Sequence, residues 1–174
     1  NQLGKYLAML PQAFTYTSVM FVNKKLLTDN GFDLPKTYDD LKRMVWKLKA
    51  KGINVIMLPN KDGWPMQSCL FSTVLGRMAG DDFVDAILAG KAKFTDKPFV
   101  DSLKVIDNLY KDGIMAREDN QVGYGEGPGL FVSGKAAIYI DGDWRAGAYI
   151  TDKASGKALI PPAAQEKDFV LLPF

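Results

Sequence analysis

Histidine is absent from this chain, and cysteine occurs once, at Cys69. The first absence removes the commonest general base and the commonest transition-metal ligand. The second excludes a disulfide within the chain and, with no histidine, a Cys/His zinc site. No cofactor and no metal site is expected. Cys69 lies in the apolar stretch from Met66 to Leu75, where a lone thiol behaves as a small buried hydrophobe rather than a nucleophile. Long apolar runs are also lacking: none approaches the roughly 18 to 20 residues that cross a bilayer. No charged segment followed by an apolar one opens the sequence, so any signal peptide is expected to lie outside these residues. Nor is there an excess of one charge, with 22 basic against 20 acidic residues and a net +2. Without a Lys/Arg block to track phosphates, or aromatics interleaved with basic residues, nucleic acid is not an expected partner.

What is present suffices for one domain, because 174 residues enclose a substantial core but not two ordinary ones. Thr17 to Asn23 reads as a buried strand, followed by a short helix from Lys24 that Gly31 closes. Thr37 is a good N-cap for a helix with Asp39 and Asp40 in its first turn and Leu41, Met44, Val45 and Leu48 on its apolar side. Trp46, in the same helix, is assigned to core or surface packing. Ile53 to Leu58 reads as a second strand, and a loop then delivers Trp64 to an apolar helix over 65–79. A short helix is expected over 81–88. A longer one, capped by Thr95 or Asp96, carries Phe99, Leu103, Ile106 and Tyr110 on one face and ends at Gly113. Residues 116–128 form a polar, glycine-rich loop without periodicity, the kind of segment in which ligand contacts collect. A helical turn over 129–133, a strand over 137–140 and a last strand over 168–174 complete the reading. The tail ends while still apolar, on Leu-Leu-Pro-Phe, and the first residue is Asn rather than Met; excision from a larger chain is the expectation.

The most informative stretch is Phe131 to Trp144, in which a helix end, a glycine stop and an apolar strand lead to a turn that projects a tryptophan. A flat aromatic beside charged groups suits a sugar, whose C–H face stacks on the indole while its hydroxyls hydrogen-bond to the neighbours. Trp144 is therefore the first candidate for ligand contact, flanked by Asp143 and Arg145. Trp64 is a second aromatic, and Pro65 and Met66 offer it a packing role instead. Tyr124 and Glu126 lie in the glycine-rich loop and are candidates for closing over a ligand. Phe14 and Tyr16 precede the first strand and are candidates for the cleft mouth. Gly123-x-Gly125-x-Gly127 is no phosphate cradle, since no Gly-Lys-Ser/Thr follows it.

The order of motifs resembles that of bacterial ABC-transporter extracellular solute-binding proteins, in the maltose-binding-protein-like sugar group. Met20-Phe21-Val22-Asn23-Lys24-Lys25-Leu26-Leu27, then Gly31-Phe32-Asp33-Leu34-Pro35-Lys36-Thr37-Tyr38-Asp39-Asp40-Leu41, is similar to one conserved-looking region of that group. Phe131-x-x-Gly134-Lys135-Ala136-Ala137-x-x-x-x-Gly142-x-Trp144 is similar to a second, and Leu171-Leu172-Pro173 to a third, the strand that returns to the first lobe. The resemblance covers nearly the whole chain. Two departures are the unusually glycine-rich loop over 123–129 and Tyr38, where tryptophan is commoner.

The resemblance implies an α/β fold: one lobe of a periplasmic-binding-protein type II fold, helix-rich around a small mixed sheet. Residues 1–174 would be a single C-terminal lobe, with hinge strands at about 17–23 and 168–174 and the N-terminal lobe missing. It implies non-catalytic capture of a sugar or oligosaccharide for an ABC-transporter membrane permease, in an extracellular or periplasmic protein, lipid-anchored in its full-length form. Trp144 matches the stacking tryptophan of the second motif, and Trp64 falls where related proteins place another cleft aromatic. Half a cleft is expected to bind weakly, and exposed hinge strands to favour a non-physiological dimer of the fragment. Two other readings stand beside it. The same fold can bind a non-sugar solute. A glycoside-processing enzyme would use carboxylates among Glu118, Asp119, Glu126, Asp141 and Asp143, though hydrolysis needs two of them at a fixed separation.

Overall fold

A computed structural model describes residues 15–150 and 157–174, with the backbone of two short strands before them, β1 (Gln2–Leu3) and β2 (Tyr6–Leu7), paired antiparallel. The fold is the expected α/β lobe, helices around a small mixed sheet. The sheet holds β3 (Val19–Asn23), β4 (Asn54–Met57), β5 (Ala136–Asp141) and β6 (Phe169–Pro173) in the order β4-β5-β3-β6. β5 runs parallel to β4 and antiparallel to β3, and β3 is antiparallel to β6. All six residues of β5 are buried, as a central strand requires. Val22, Ile138 and Ile140 pack on one side with Leu27, Leu41, Met44 and Leu48, and Phe21, Met57 and Tyr139 on the other with Phe131 and Tyr149.

Register decides where a site can form. Val19 stands opposite both Asp141 and Pro173, so the start of β3 and the ends of β5 and β6 share one edge of the sheet. The parallel pair β4 and β5 also ends there, and the loops after such strands are where α/β sheets place ligands.

Local chemistry explains the helices that were legible. Asn23 caps α1 (Lys24–Asp29) by accepting from Leu26 N at 2.9 Å, and the chain turns away through Gly31 at φ 75°. Helix α2 (Tyr38–Lys49) opens on a capping box: Thr37 Oγ1 accepts from Asp40 N at 3.2 Å and Asp40 Oδ2 accepts from Thr37 N at 2.8 Å. Leu41, Met44 and Leu48 form its buried stripe.

Elsewhere the structure corrects the sequence reading. Trp46 is not packed; it is 83% exposed, because a residue two positions from both Met44 and Leu48 lies on the opposite side of a helix from them. The helix expected over 65–79 is there without a break, but it opens on a π-helical turn (Met66–Phe71) that leads into α3 (Ser72–Ala79). Hydroxyls meet the carbonyls of the wide turn, Ser18 Oγ on Cys69 O at 2.6 Å and Ser72 Oγ on Ser68 O at 2.7 Å. After α4 (Phe83–Leu88), the long helix α5 (Lys97–Lys111) keeps Phe99, Ile106 and Tyr110 of the expected face packed but not Leu103. Leu103 is exposed and Ser102 is buried, a polar group made tolerable by its hydrogen bond to Pro98 O at 2.7 Å. Asp96 does flank that helix, but its carboxylate accepts from Lys93 N at 2.9 Å and not from the helix itself.

The 116–128 segment is more ordered than its composition suggests. It contains a 3-10 turn (Arg117–Gln121), and α6 (Gly127–Val132) begins two residues before the expected start. Gly127 is required by close approach: a Cβ there would lie 2.2 Å from Pro59 Cγ and 2.9 Å from Tyr139 Cε2. A 3-10 turn (Asp143–Arg145), α7 (Ala146–Ile150) and α8 (Pro162–Asp168) lead to β6. No helix among the described residues is long and apolar enough to cross a membrane.

Candidate functional site

Three loops converge where β4 and β5 end. The first follows β4 and carries Trp64; the second, over 122–126, carries Tyr124; the third is the turn after β5 that carries Trp144 and Arg145. The first two are stitched together by Lys61 N donating to Val122 O at 3.1 Å and by Asn60 N donating to Asp119 O at 3.0 Å. Tyr124 N donates to Asp62 Oδ2 at 3.0 Å, and Asn60 Nδ2 to Asn120 Oδ1 at 2.9 Å. Residues sixty apart in sequence are thereby set side by side.

Their rings form one cluster. Trp64 meets Tyr124 edge-on with centroids 4.6 Å apart, and Trp144 lies 6.4 Å from Trp64 at an interplanar angle of 40°. Trp144 Nε1 donates to Tyr124 Oη at 2.7 Å, and the Arg145 guanidinium sits 4.0 Å from the centroid of the Tyr124 ring. Trp64 and Trp144 remain 36% and 43% exposed, so the cluster keeps aromatic surface open to solvent while the polar edges of Trp144 and Tyr124 are bonded within it. Gly142 makes room for this: a Cβ there would lie 2.2 Å from carbons of the Trp144 six-membered ring.

Beneath the rings lies Asp141, 1% exposed. Its Oδ1 accepts from Tyr124 Oη at 3.0 Å and Gly142 N at 2.8 Å; its Oδ2 accepts from Arg145 Nε at 2.9 Å and Tyr139 Oη at 3.0 Å. Burial, opposed by the hydrogen bond from Trp144 and reinforced by Asp141, holds the Tyr124 phenol above its ordinary value. The phenol therefore keeps its proton and donates it to the carboxylate. Burial and then Asp141 push the nearby Cys69 thiol up to about 12, which leaves it inert near neutrality.

Of the residues singled out in the sequence, Trp64, Tyr124, Trp144 and Arg145 come together in this cluster. The others do not join it. Asp143 accepts a hydrogen bond from Thr15 Oγ1, and its backbone N–H donates to Tyr16 O at 2.9 Å. The Thr15 hydrogen bond first, then one from backbone, holds the Asp143 carboxyl below its ordinary value. Tyr16 is 74% exposed, its ring in solvent. Glu126 is exposed and folds back toward Gly123; with Arg145 and Gly129 it borders a shallow depression of about 580 Å³ beside the cluster. Phe14 lies outside the described residues. The sequence reading missed the position of Asp141, which it placed only among carboxylates of a hydrolytic alternative. A carboxylate closing an otherwise apolar, wholly buried strand was the available signal. A separate groove of about 560 Å³, lined by Met20, Tyr38, Leu41, Val105, Leu172 and Phe174 among others, includes none of these residues. Among the described residues no group of three or more His, Cys, Asp or Glu could hold a metal ion.

A lobe of this topology, with an aromatic cluster at its strand ends, is that of a solute-binding protein. The chain matches the family of bacterial extracellular solute-binding proteins over residues 1–174, and it belongs to that family. It is 28% identical over 142 residues to an uncharacterised ABC transporter extracellular-binding protein of Pyrococcus horikoshii, covering 80% of this chain and 31% of that protein. It is 23% identical over 131 residues to a multiple sugar-binding protein of Streptococcus mutans, covering 73% of this chain and 31% of that one. Among solved structures, a chitin oligosaccharide binding protein superposes with a TM-score of 0.72 at 27% identity, over 92% of this chain and 38% of its own. The chain thus spans about a third of the length of the relatives it matches.

Proposed function

We propose that residues 1–174 supply one wall of a carbohydrate-binding cleft in an extracellular or periplasmic protein that delivers its ligand to an ABC-transporter permease. The observation that carries the reading is the Trp64–Tyr124–Trp144 cluster, half-exposed at the ends of parallel strands and held by charged groups beneath. A pyranose laid on such a ring removes its C–H face from water; at about 25 cal/mol per Å², some tens of Å² contribute about 1 to 2 kcal/mol per ring. The names of the relatives from Streptococcus mutans and of the chitin oligosaccharide binder support an oligosaccharide as the ligand. The sheet supports a place for this lobe in a larger protein: β3 begins and β6 ends side by side at the edge that bears the cluster, which suits two hinge strands. Lipid anchoring of the full-length protein belongs to the same reading. Capture without catalysis fits a site in which the carboxylate beneath the rings is already engaged by hydrogen-bond donors on both oxygens.

The test is a titration of the full-length protein with a panel of oligosaccharides, followed by tryptophan fluorescence. One class should quench or shift the emission, and Trp144→Ala should weaken its binding at least tenfold. Unchanged affinity in that variant would remove Trp144 from the site.

A further inference from the structure

We propose that Asp141 is the positioning residue of the aromatic platform: from beneath, its carboxylate fixes Tyr124 and Arg145, and through the Tyr124 hydroxyl it fixes the indole of Trp144 before any ligand arrives. The consequence for affinity rests on the binding function proposed above; the geometry does not. A buried carboxylate needs compensation, and one arginine would supply the charge. Asp141 has that arginine in Arg145 and further donors from the 122–126 loop, from its own strand and from the backbone of the turn that follows. Its two oxygens divide the work. Oδ1 holds the loop through Tyr124 and the turn through Gly142 N, while Oδ2 holds Arg145 and Tyr139.

The chain of donors has a direction. The single phenolic proton of Tyr124 goes to Asp141, which leaves the phenol oxygen free to accept from Trp144 Nε1. Arg145, oriented by the same carboxylate, covers one face of the Tyr124 ring, so Tyr124 is held both by its hydroxyl and by its face. Trp64 then packs on Tyr124. Asp141 is thus one hydrogen bond from Tyr124, two from Trp144, and one ring contact further from Trp64. A neutral amide cannot do the same, because its nitrogen accepts nothing: in Asp141→Asn one oxygen's partners are lost, and the new N–H competes with Trp144 for the phenol oxygen.

The experiment uses full-length protein labelled with ¹⁵N-tryptophan, without ligand at first. Exposed Trp46 is the internal control. In Asp141→Asn and in Tyr124→Phe, the Trp144 indole N–H resonance should move and its hydrogen exchange should accelerate, while the Trp46 resonance stays. Should Asp141→Asn fail to fold, Asp141→Asn/Arg145→Gln leaves no unpaired buried charge and must show the same change at Trp144. Calorimetry with the oligosaccharide that the wild type binds then gives a double-mutant cycle. Each single variant should lose about tenfold in affinity, and the double variant Asp141→Asn/Tyr124→Phe no more than about threefold beyond the weaker single. A Trp144 resonance unmoved by loss of the carboxylate overturns the proposal, as do losses that multiply. A resonance that moves as expected, with no oligosaccharide bound by wild type or variants, upholds the positioning role and removes the sugar-binding reading instead.

Discussion

A methyl group at Gly142 would land 2.2 Å from carbons of the Trp144 ring, whereas the backbone there, at φ −82°, accepts any residue. The obstacle is the ring of a half-exposed side chain rather than backbone, so Gly142→Ala should displace the indole rather than the fold. We expect its unfolding free energy to stay within about 1 kcal/mol of wild type, with oligosaccharide affinity falling roughly tenfold. Thermal melts and calorimetry on the full-length protein check both halves, and a large stability loss with normal binding contradicts the account. Gly127 is the opposite case. Its missing Cβ faces Pro59 and Tyr139, both in the packed interior, so Gly127→Ala should cost about 1 to 3 kcal/mol by overpacking, read as a lower urea midpoint. The sequence announced the tryptophan of this turn but not the carboxylate below it. Trp144 could be recognised from local order: apolar strand, glycine, aromatic. Asp141 acquires its role only when Tyr124, from a loop that precedes its strand, and Arg145, from the turn that follows, close around it.

The loop that carries Tyr124 is tied down by Asp119, which is 2% exposed and bonded to Leu58 N at 3.3 Å and Asn54 Nδ2 at 3.2 Å. Burial pushes its carboxyl up to about 7, opposed by the Leu58 and Asn54 hydrogen bonds and helped by Glu118. A folded-state value above the unfolded one means that the folded protein binds the proton more tightly. The stability this gives is full below about pH 4 and is lost as pH rises through about 7. Asp119→Asn should abolish that component, at most about 1.4 kcal/mol per pH unit across the window. Urea midpoints at pH 4.5 and 7.5 test it: the variant should gain on wild type at the higher pH, and parallel shifts in both proteins contradict it. Elements fixed by neighbours in sequence were legible, as with α2, whose capping box and stripe of Leu41, Met44 and Leu48 lie within twelve residues. Elements fixed by distant contacts were not. The π-helical turn takes a hydroxyl from Ser18, fifty-one residues away, and α5 buries Ser102 but not Leu103 because α3 and the turn before it pack against that helix.

As a whole, the lobe presents its aromatic cluster at the sheet edge where β3 starts and β6 ends, and a cleft needs a second wall opposite. Binding that depends on closure of two walls should be weak in one of them. The 174-residue chain alone should bind no tighter than about millimolar, worth about 4 kcal/mol, while the full-length protein binds the same oligosaccharide far more tightly. Equal affinities would contradict the two-walled site. The family and the small mixed sheet were legible as a whole because three motifs fall in order along the chain; which loops would touch was not, since that depends on hydrogen bonds such as Lys61 N to Val122 O. The most direct measurement is a crystal structure of the full-length protein with its tightest-binding oligosaccharide. The account predicts a pyranose ring stacked on Trp144 or Trp64, at about 4 Å, with Tyr124 and Asp141 arranged as they are without ligand. A sugar seated away from this cluster, or Trp144 turned inward and covered by protein, would contradict it.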